Sequence, residues 1–177
     1  MSDPNSALEL LMAMQEGPVI ARDDASEAIL IHDEDLPHVN LPDGSTLQLL
    51  QVDLNQNMWI VRNKFKPGLN IVDTHYHTGP VFAVTQSGEW FYKEYPDKIN
   101  KAGSYLYEPA HSVHTITVAQ DATEDAVVWF AIFGSNVNID DEGNVISVLD
   151  AKTVLKAYRA LCELEGKSSE KVIVMGE

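Results

Sequence analysis

The sequence predicts an all-β domain, an antiparallel sandwich or jelly roll with one short helix near each end. Three observations carry this. Short β-rich segments succeed one another from Ala28 to about Phe133, each closed by turn chemistry: Pro42-Asp43-Gly44, Lys66-Pro67-Gly68, Thr78-Gly79-Pro80, Gln86-Ser87-Gly88 and Ala102-Gly103. Helix signals occur only towards the two ends. The 177 residues, 45 % of them hydrophobic, suit a single core with terminal extensions. Strands joined by such short turns pair antiparallel, because a parallel crossover needs a much longer connection.

Taken in order, Ser6-Ala7-Leu8-Glu9 forms a capping box, which starts a helix to about Gln15 that Gly17-Pro18 stops. Strands are expected over Thr46–Val52, Met58–Phe65, Ile71–His77, Val81–Thr85, Trp90–Tyr95, Tyr105–Tyr107, His114–Val118 and Ala126–Phe133. Val137 to Val148 then makes a hairpin with its tip at Asp140-Asp141-Glu142-Gly143-Asn144. The spacing of Asn138, Asp140, Glu142 and Gly143 faintly echoes a calcium loop. Leu149 stands where the bidentate Glu would be, which argues against calcium. Asp150 caps a closing helix to about Glu165, Gly166 ends it, and the tail from Lys167 is expected as a loosely held arm. The expected divisions are a helical extension over 1–27, a β-barrel over 28–149, and a helix and tail over 150–177.

Charge and composition exclude several function classes. With 27 acidic and 12 basic residues, the net charge of −15 repels nucleic acid and anionic membranes. No apolar run approaches the ~20 residues of a membrane span, and Met1-Ser2-Asp3-Pro4 lacks the basic start of a secretory signal. A cytoplasmic location is the expectation. Cys162 is the sole cysteine, so neither an intrachain disulfide nor a thiolate cluster can form. It falls on the same helical face as Val154, Leu155, Tyr158 and Leu161, as a small buried hydrophobe would.

The chemistry concentrates between Gly68 and Val118, where four of the six histidines lie. Side chains alternate along a strand, so His75 and His77 point the same way and can grip one ion, with His114 from a neighbouring strand as the third imidazole. Such ligands suit iron, copper, zinc or nickel and leave coordination positions open. His111 is the alternative third ligand, and otherwise a loop histidine near the entrance. His32 and His38, beside acidic turn residues, are expected at the surface.

These two blocks resemble the two motifs of the cupin superfamily, Gly-x5-His-x-His-x3,4-Glu-x6-Gly and Gly-x5-Pro-x-Gly-x2-His-x3-Asn. His75, His77, Gly88, Gly103, Pro109 and His114 stand in matching places. The gap from Gly68 to His75 is one residue longer than in the motif, Val81 stands at the Glu position, His111 replaces the inner Gly, and Val118 replaces the Asn. The resemblance implies a cupin jelly-roll (double-stranded β-helix) barrel with a metal on His75, His77 and His114. Without the motif carboxylate, three neutral imidazoles leave the +2 charge of the ion to an anionic, chelating substrate.

Longer segments are similar to the 2,4'-dihydroxyacetophenone dioxygenase family: His77-Thr78-Gly79-Pro80-Val81, Ser87-Gly88-Glu89-Trp90, Ala102 to Ala110, Ser112-Val113-His114-Thr115, Asp141 to Val145, and Tyr158 to Cys162. That resemblance implies Fe(II) and cleavage by O2 of the bond beside an aryl ketone carbonyl, giving an aromatic acid and formate. Zinc, manganese or nickel are alternatives, and a homodimer or homotetramer is expected. Glu108, six residues before His114, is the expected catalytic base or orienting group, with Glu89 and Glu94 as fallback fourth ligands. Tyr105, Tyr107 and Trp90 are the expected substrate-binding residues, drawn from a set of aromatics of which strand alternation lets about half face inward. Competing readings are a β-diketone dioxygenase, a zinc or manganese isomerase or hydrolase, and a non-enzymatic sensor that binds a metal or ligand.

Overall fold

The β-rich segments form strands that turn alternate side chains inward, as β5 (Val81–Ser87) does by burying Val81, Ala83 and Thr85 and exposing Val84 and Gln86. The computed structural model describes residues 26–69 and 73–176, together with Ser6 and Glu9. Apart from those two positions, which are helical, the expected helix from Ser6 to about Gln15 lies outside the described residues. So do the first two positions of the strand expected from Ile71.

A 3-10 turn at Asp33–Asp35 precedes β1 (Val39–Asn40), β2 (Thr46–Asp53), β3 (Met58–Phe65), β4 (His75–His77) and β5. There follow β6 (Glu89–Tyr92), β7 (Asn100–Lys101), β8 (Tyr105–Glu108), β9 (Ile116–Thr117) and β10 (Ala126–Phe133). β11 (Asn136–Ile139), β12 (Val145–Leu149), α1 (Ala151–Leu164) and β13 (Ile173–Met175) complete the order.

One large sheet runs β1-β2-β3-β10-β5-β8, all antiparallel, with β13 joining β2 in parallel. Opposite it stand two small sheets, β12-β11-β4 and β7-β6-β9. His75 and His114 link the two small sheets by exchanging backbone hydrogen bonds of 3.0 Å in both directions. Val81, Ala83, Val128 and Phe130 of the large sheet meet Trp90, Tyr92, Ile116 and Val118 between the layers. Trp90 and Phe130 touch edge to face at 6.0 Å. This is the expected antiparallel jelly roll, although its sheets do not close into a continuous hydrogen-bonded barrel.

Three strands are shorter than expected, β4 among them, since Asp73 and Thr74 lie outside it. β6 ends at Tyr92, where the Tyr95 amide donates to the Tyr92 carbonyl at 2.8 Å and turns the chain. The stretch expected as His114–Val118 is regular only over Ile116–Thr117. Between β5 and β6, Gly88 adopts φ +68°, and a Cβ there would lie 2.5 Å from the Asp125 carbonyl oxygen. Only glycine permits so tight a connection.

α1 begins where the Asp150 carboxylate accepts the Thr153 amide at 2.7 Å. Ala151, Val154, Leu155, Tyr158 and Cys162 form its buried stripe, and the Tyr158 hydroxyl donates to the Pro37 carbonyl at 2.6 Å. The helix thereby belongs to the same compact unit as the sheets, which begins at Ile31. None of the described helices is long and apolar enough to cross a membrane.

Two expectations need correction. The tail is no loose arm, because β13 pairs with Gln51–Asp53 of β2 and Val172 is buried beside it. His38 is not a surface group either. Its Nδ1 lies 3.3 Å from the Thr46 hydroxyl, and burial pushes its pKa down to about 4. Truncation after Ser169 is therefore expected to lower stability by about 2 kcal/mol through lost apolar burial. Thermal unfolding measures this, and an unchanged midpoint would return the tail to the status of a free arm.

Candidate metal centre

β4 reads His-Tyr-His, and its alternation buries both histidines while Tyr76 turns outward. His114 arrives opposite His75 through the backbone pair that joins the small sheets. The ring centroids are 5.1 Å apart for His75 and His77, 4.8 Å for His75 and His114, and 5.8 Å for His77 and His114. One ring nitrogen from each lies within 4.8 Å of the others, and all three side chains are buried.

His75 Nδ1 lies 2.9 Å from the Asp73 carbonyl oxygen, which can only accept, so Nδ1 carries the proton and Nε2 keeps its lone pair. Burial lowers the pKa of His75, and His114 nearby adds to the effect. Burial, with His75 as second cause, pushes His77 down to about 3. Both rings are neutral near pH 7, as metal ligation requires.

Glu108 turns into the same space. It sits directly across from Val81 in the β5–β8 pairing and is buried. Its Oε1 accepts the Tyr92 hydroxyl, while Oε2 lies 3.2 Å from His114 Nε2 and 3.6 Å from His77 Nε2. Burial works to raise its pKa, but His114, Tyr92 and His77 outweigh burial and hold the carboxyl below its ordinary value. Burial and the Glu108 charge raise the Tyr92 pKa far above its ordinary value, so the phenol keeps its proton. Tyr92 also stacks on His114 with centroids 4.3 Å apart.

His114 Nε2 and Glu108 Oε2 are buried with no hydrogen-bond partner, and His77 turns its Nε2 towards the same carboxylate oxygen at 3.6 Å. Unsatisfied buried groups of this kind are costly, and lone pairs facing one another are what a cation satisfies. The donor set therefore fits a divalent metal ion. A cavity of about 380 Å³ opens from His75, His77 and Glu108, walled by Trp59, Phe65, Phe130 and Ile132. Asn136 and Asn138 line it beside His77 and His75, their direct partners on β4.

The expected substrate residues stand elsewhere. Tyr105 and Tyr107 are 65 % and 54 % exposed and do not line the cavity. The cause is strand parity, since Glu108 pointing inward sends both tyrosines outward. Trp90 is fully buried, and its indole N–H donates to the Thr85 hydroxyl at 2.9 Å. Glu89 is exposed, and both oxygens of Glu94 are taken by the Thr115 amide and hydroxyl at 2.9 and 2.8 Å. Glu94 thus has no oxygen left free for a metal, and Glu89 faces solvent. His111 is exposed in a left-handed backbone at φ 66°, and its amide donates to the His77 carbonyl. Its ring meets Tyr76 outside the cluster.

Tyr92, Asn136 and Asn138 are among the site-lining polar residues that the motifs miss. Asn136-Val137-Asn138 repeats the alternation of His75-Tyr76-His77, a signal that acquires meaning only once the two strands are known to pair.

The family model of the ChrR cupin-like domain matches residues 26–133. The chain belongs to this cupin-like family. Among solved structures, a cupin-fold protein of unknown function from Ralstonia eutropha is 27 % identical with a TM-score of 0.77, over 89 % of this chain and 97 % of that one. An RmlC-like cupin from the same organism is 28 % identical with a TM-score of 0.74, over 80 % of this chain and 91 % of that one. An acetylacetone dioxygenase from Acinetobacter johnsonii shares the fold at 21 % identity and a TM-score of 0.66, over 82 % of this chain and 99 % of that one. No curated protein matches.

In this cupin the neutral histidines make the metal-free protein acid-sensitive. His77 stays unprotonated down to about 3, against 6.5 for an ordinary histidine. Between those values the unfolded chain binds the extra proton. Stability therefore falls as pH drops from about 6.5 towards 3, by up to about 1.4 kcal/mol per pH unit for this residue. His75 acts in the same direction. Urea unfolding of chelator-treated protein at stepped pH measures the slope, and His77→Gln is expected to flatten it; an undiminished slope would remove His77 as its source. Tyr105→Ala and Tyr107→Ala, both on the outer face, are expected to leave small-ligand affinity for the cavity unchanged. Calorimetry of the metal-loaded protein would contradict this if affinity fell tenfold.

Proposed function

We propose that this cupin is an Fe(II)-dependent dioxygenase that cleaves the C–C bond beside the ketone of an aryl α-hydroxyketone resembling 2,4'-dihydroxyacetophenone, giving a carboxylic acid and formate. The observation that carries the reading is the cluster of three buried imidazoles, two of which, His75 and His77, line a largely apolar cavity sized for a small molecule. His75, His77 and His114 are the residues that would hold the metal. Bound iron would supply activation of O2 and polarisation of the ketone. The shared fold of the acetylacetone dioxygenase agrees with chemistry on a small ketone.

The protein's own contributions follow from the lining. Trp59, Phe65, Phe130 and Ile132 take the aryl ring and keep water from the reacting carbons. Asn136 and Asn138 present amides on the same face as the histidines and orient the substrate oxygens. Glu108, held ionised at the cavity floor, accepts the proton that the hydroxyketone gives up. Tyr92 keeps that carboxylate in place through its hydroxyl. A homodimer or homotetramer belongs to the same reading, supported by Val145, Ile146 and Val148, which are exposed on β12 at the edge of its sheet.

Anaerobic loading with Fe(II), followed by O2 uptake and formate release on 2,4'-dihydroxyacetophenone, tests the activity. Equal amounts of O2 consumed and formate formed are expected. His77→Ala is expected to lose metal retention and at least about 100-fold in turnover, as removal of a ligand should. A metal-replete protein that consumes no O2 with aryl ketones or β-diketones would overturn the dioxygenase reading. It would leave zinc or manganese chemistry, or a ligand-binding role, in its place.

A further inference from the structure

We infer that Glu108 is itself a fourth metal ligand, delivered from β8 in place of the carboxylate that Val81 cannot provide on β5. This rests on the reading that His75, His77 and His114 hold the ion. Val81 and Glu108 are direct partners across the antiparallel β5–β8 pair. Such partners project from the same face of the sheet, so a carboxylate on β8 enters the space that one on β5 would fill.

The distance to His114 agrees with ligation, and that to His77 is slightly longer than the ideal. Donors on neighbouring positions of one ion, with bonds of about 2.1 Å, lie about 3.0 to 3.4 Å apart. Glu108 Oε2 is 3.2 Å from His114 Nε2 and 3.6 Å from His77 Nε2. A hydrogen bond gives a similar separation, and apart from each other Glu108 Oε2 and His114 Nε2 have no hydrogen-bond partner. Tyr92 occupies Oε1, which leaves Oε2 as the single free donor, and the Tyr92 ring stacks on His114. One side chain thus positions two ligands. Glu94 cannot substitute, because both its oxygens serve Thr115.

With Glu108 bound, the site and a divalent ion together carry +1 rather than +2. Such a site would hold its metal without an anionic substrate, and Glu108 Oε2 would remain the nearest carboxylate oxygen to accept a proton.

Anaerobic titration of the metal-free protein with Co(II), beside Glu108→Gln and His77→Ala, tests the assignment. Gln keeps the shape and the Tyr92 contact but loses the anionic donor. Residues that only orient a ligand cost about 10- to 100-fold in affinity when replaced. Glu108→Gln is expected to exceed about 100-fold and to change the visible Co(II) spectrum. A smaller loss with an unchanged spectrum overturns the inference. Co(II) binding that survives intact in His77→Ala overturns the three-histidine reading instead. A crystal structure of the zinc-loaded wild-type protein needs no variant to fold, and Oε2 is expected about 2.0 to 2.2 Å from the ion. A water between Oε2 and the ion overturns the inference.

Discussion

The reciprocal backbone pair between His75 and His114 is the constraint on which the site depends. It joins the β12-β11-β4 sheet to the strand that continues into β9, and so completes the second layer of the jelly roll. The same pairing fixes the registers of the two strands that carry the imidazoles. A one-residue slip would turn His75 and His77 outward and bring Tyr76 into the core. Fold and site are therefore not separable at this point, because the hydrogen bonds that close the layer also aim the side chains.

A buried set of three imidazoles and a carboxylate is costly, and the surroundings show how the cost is met. The Asp73 carbonyl fixes the tautomer of His75, and the Tyr92 hydroxyl satisfies one oxygen of Glu108. Glu94 clamps Thr115, the residue after His114, through both its amide and its hydroxyl. Glu108 Oε2 and His114 Nε2, which these supports leave unsatisfied, lie 3.2 Å apart. The apolar walls around them lower the local dielectric, which strengthens both the cost of leaving them bare and the attraction for a cation.

Much of this was legible in the sequence for definite reasons. Turn residues punctuate the strands, so the β-rich segments could be located, and Asp150 announced α1 through a local cap. The alternation in His75-Tyr76-His77 needs no tertiary information to predict a shared face. Where the reading failed, the deciding partner lay far away in sequence. The tail was expected to be loose because Ile173-Val174-Met175 carries no local signal of its pairing with β2. Tyr105 and Tyr107 were expected in the pocket because a strand has two faces and the sequence alone does not say which is inside. His38 looked exposed because its neighbours are acidic, whereas packing buries its ring.

By itself the sequence determined an antiparallel β domain, a pair of histidines on one strand face, a third histidine in a second motif, and a missing carboxylate at Val81. These follow from local periodicity and turn chemistry, which act over a few residues. Only the tertiary structure decided that Glu108 lies opposite Val81, that Tyr92 holds it, and that two asparagines stand beside the histidines. Each of those is a matter of strand register between segments distant along the chain, set by the hydrophobic core and the inter-strand hydrogen bonds. The carboxylate absent from one strand is present on its neighbour, and only the pairing of β5 with β8 brings it there.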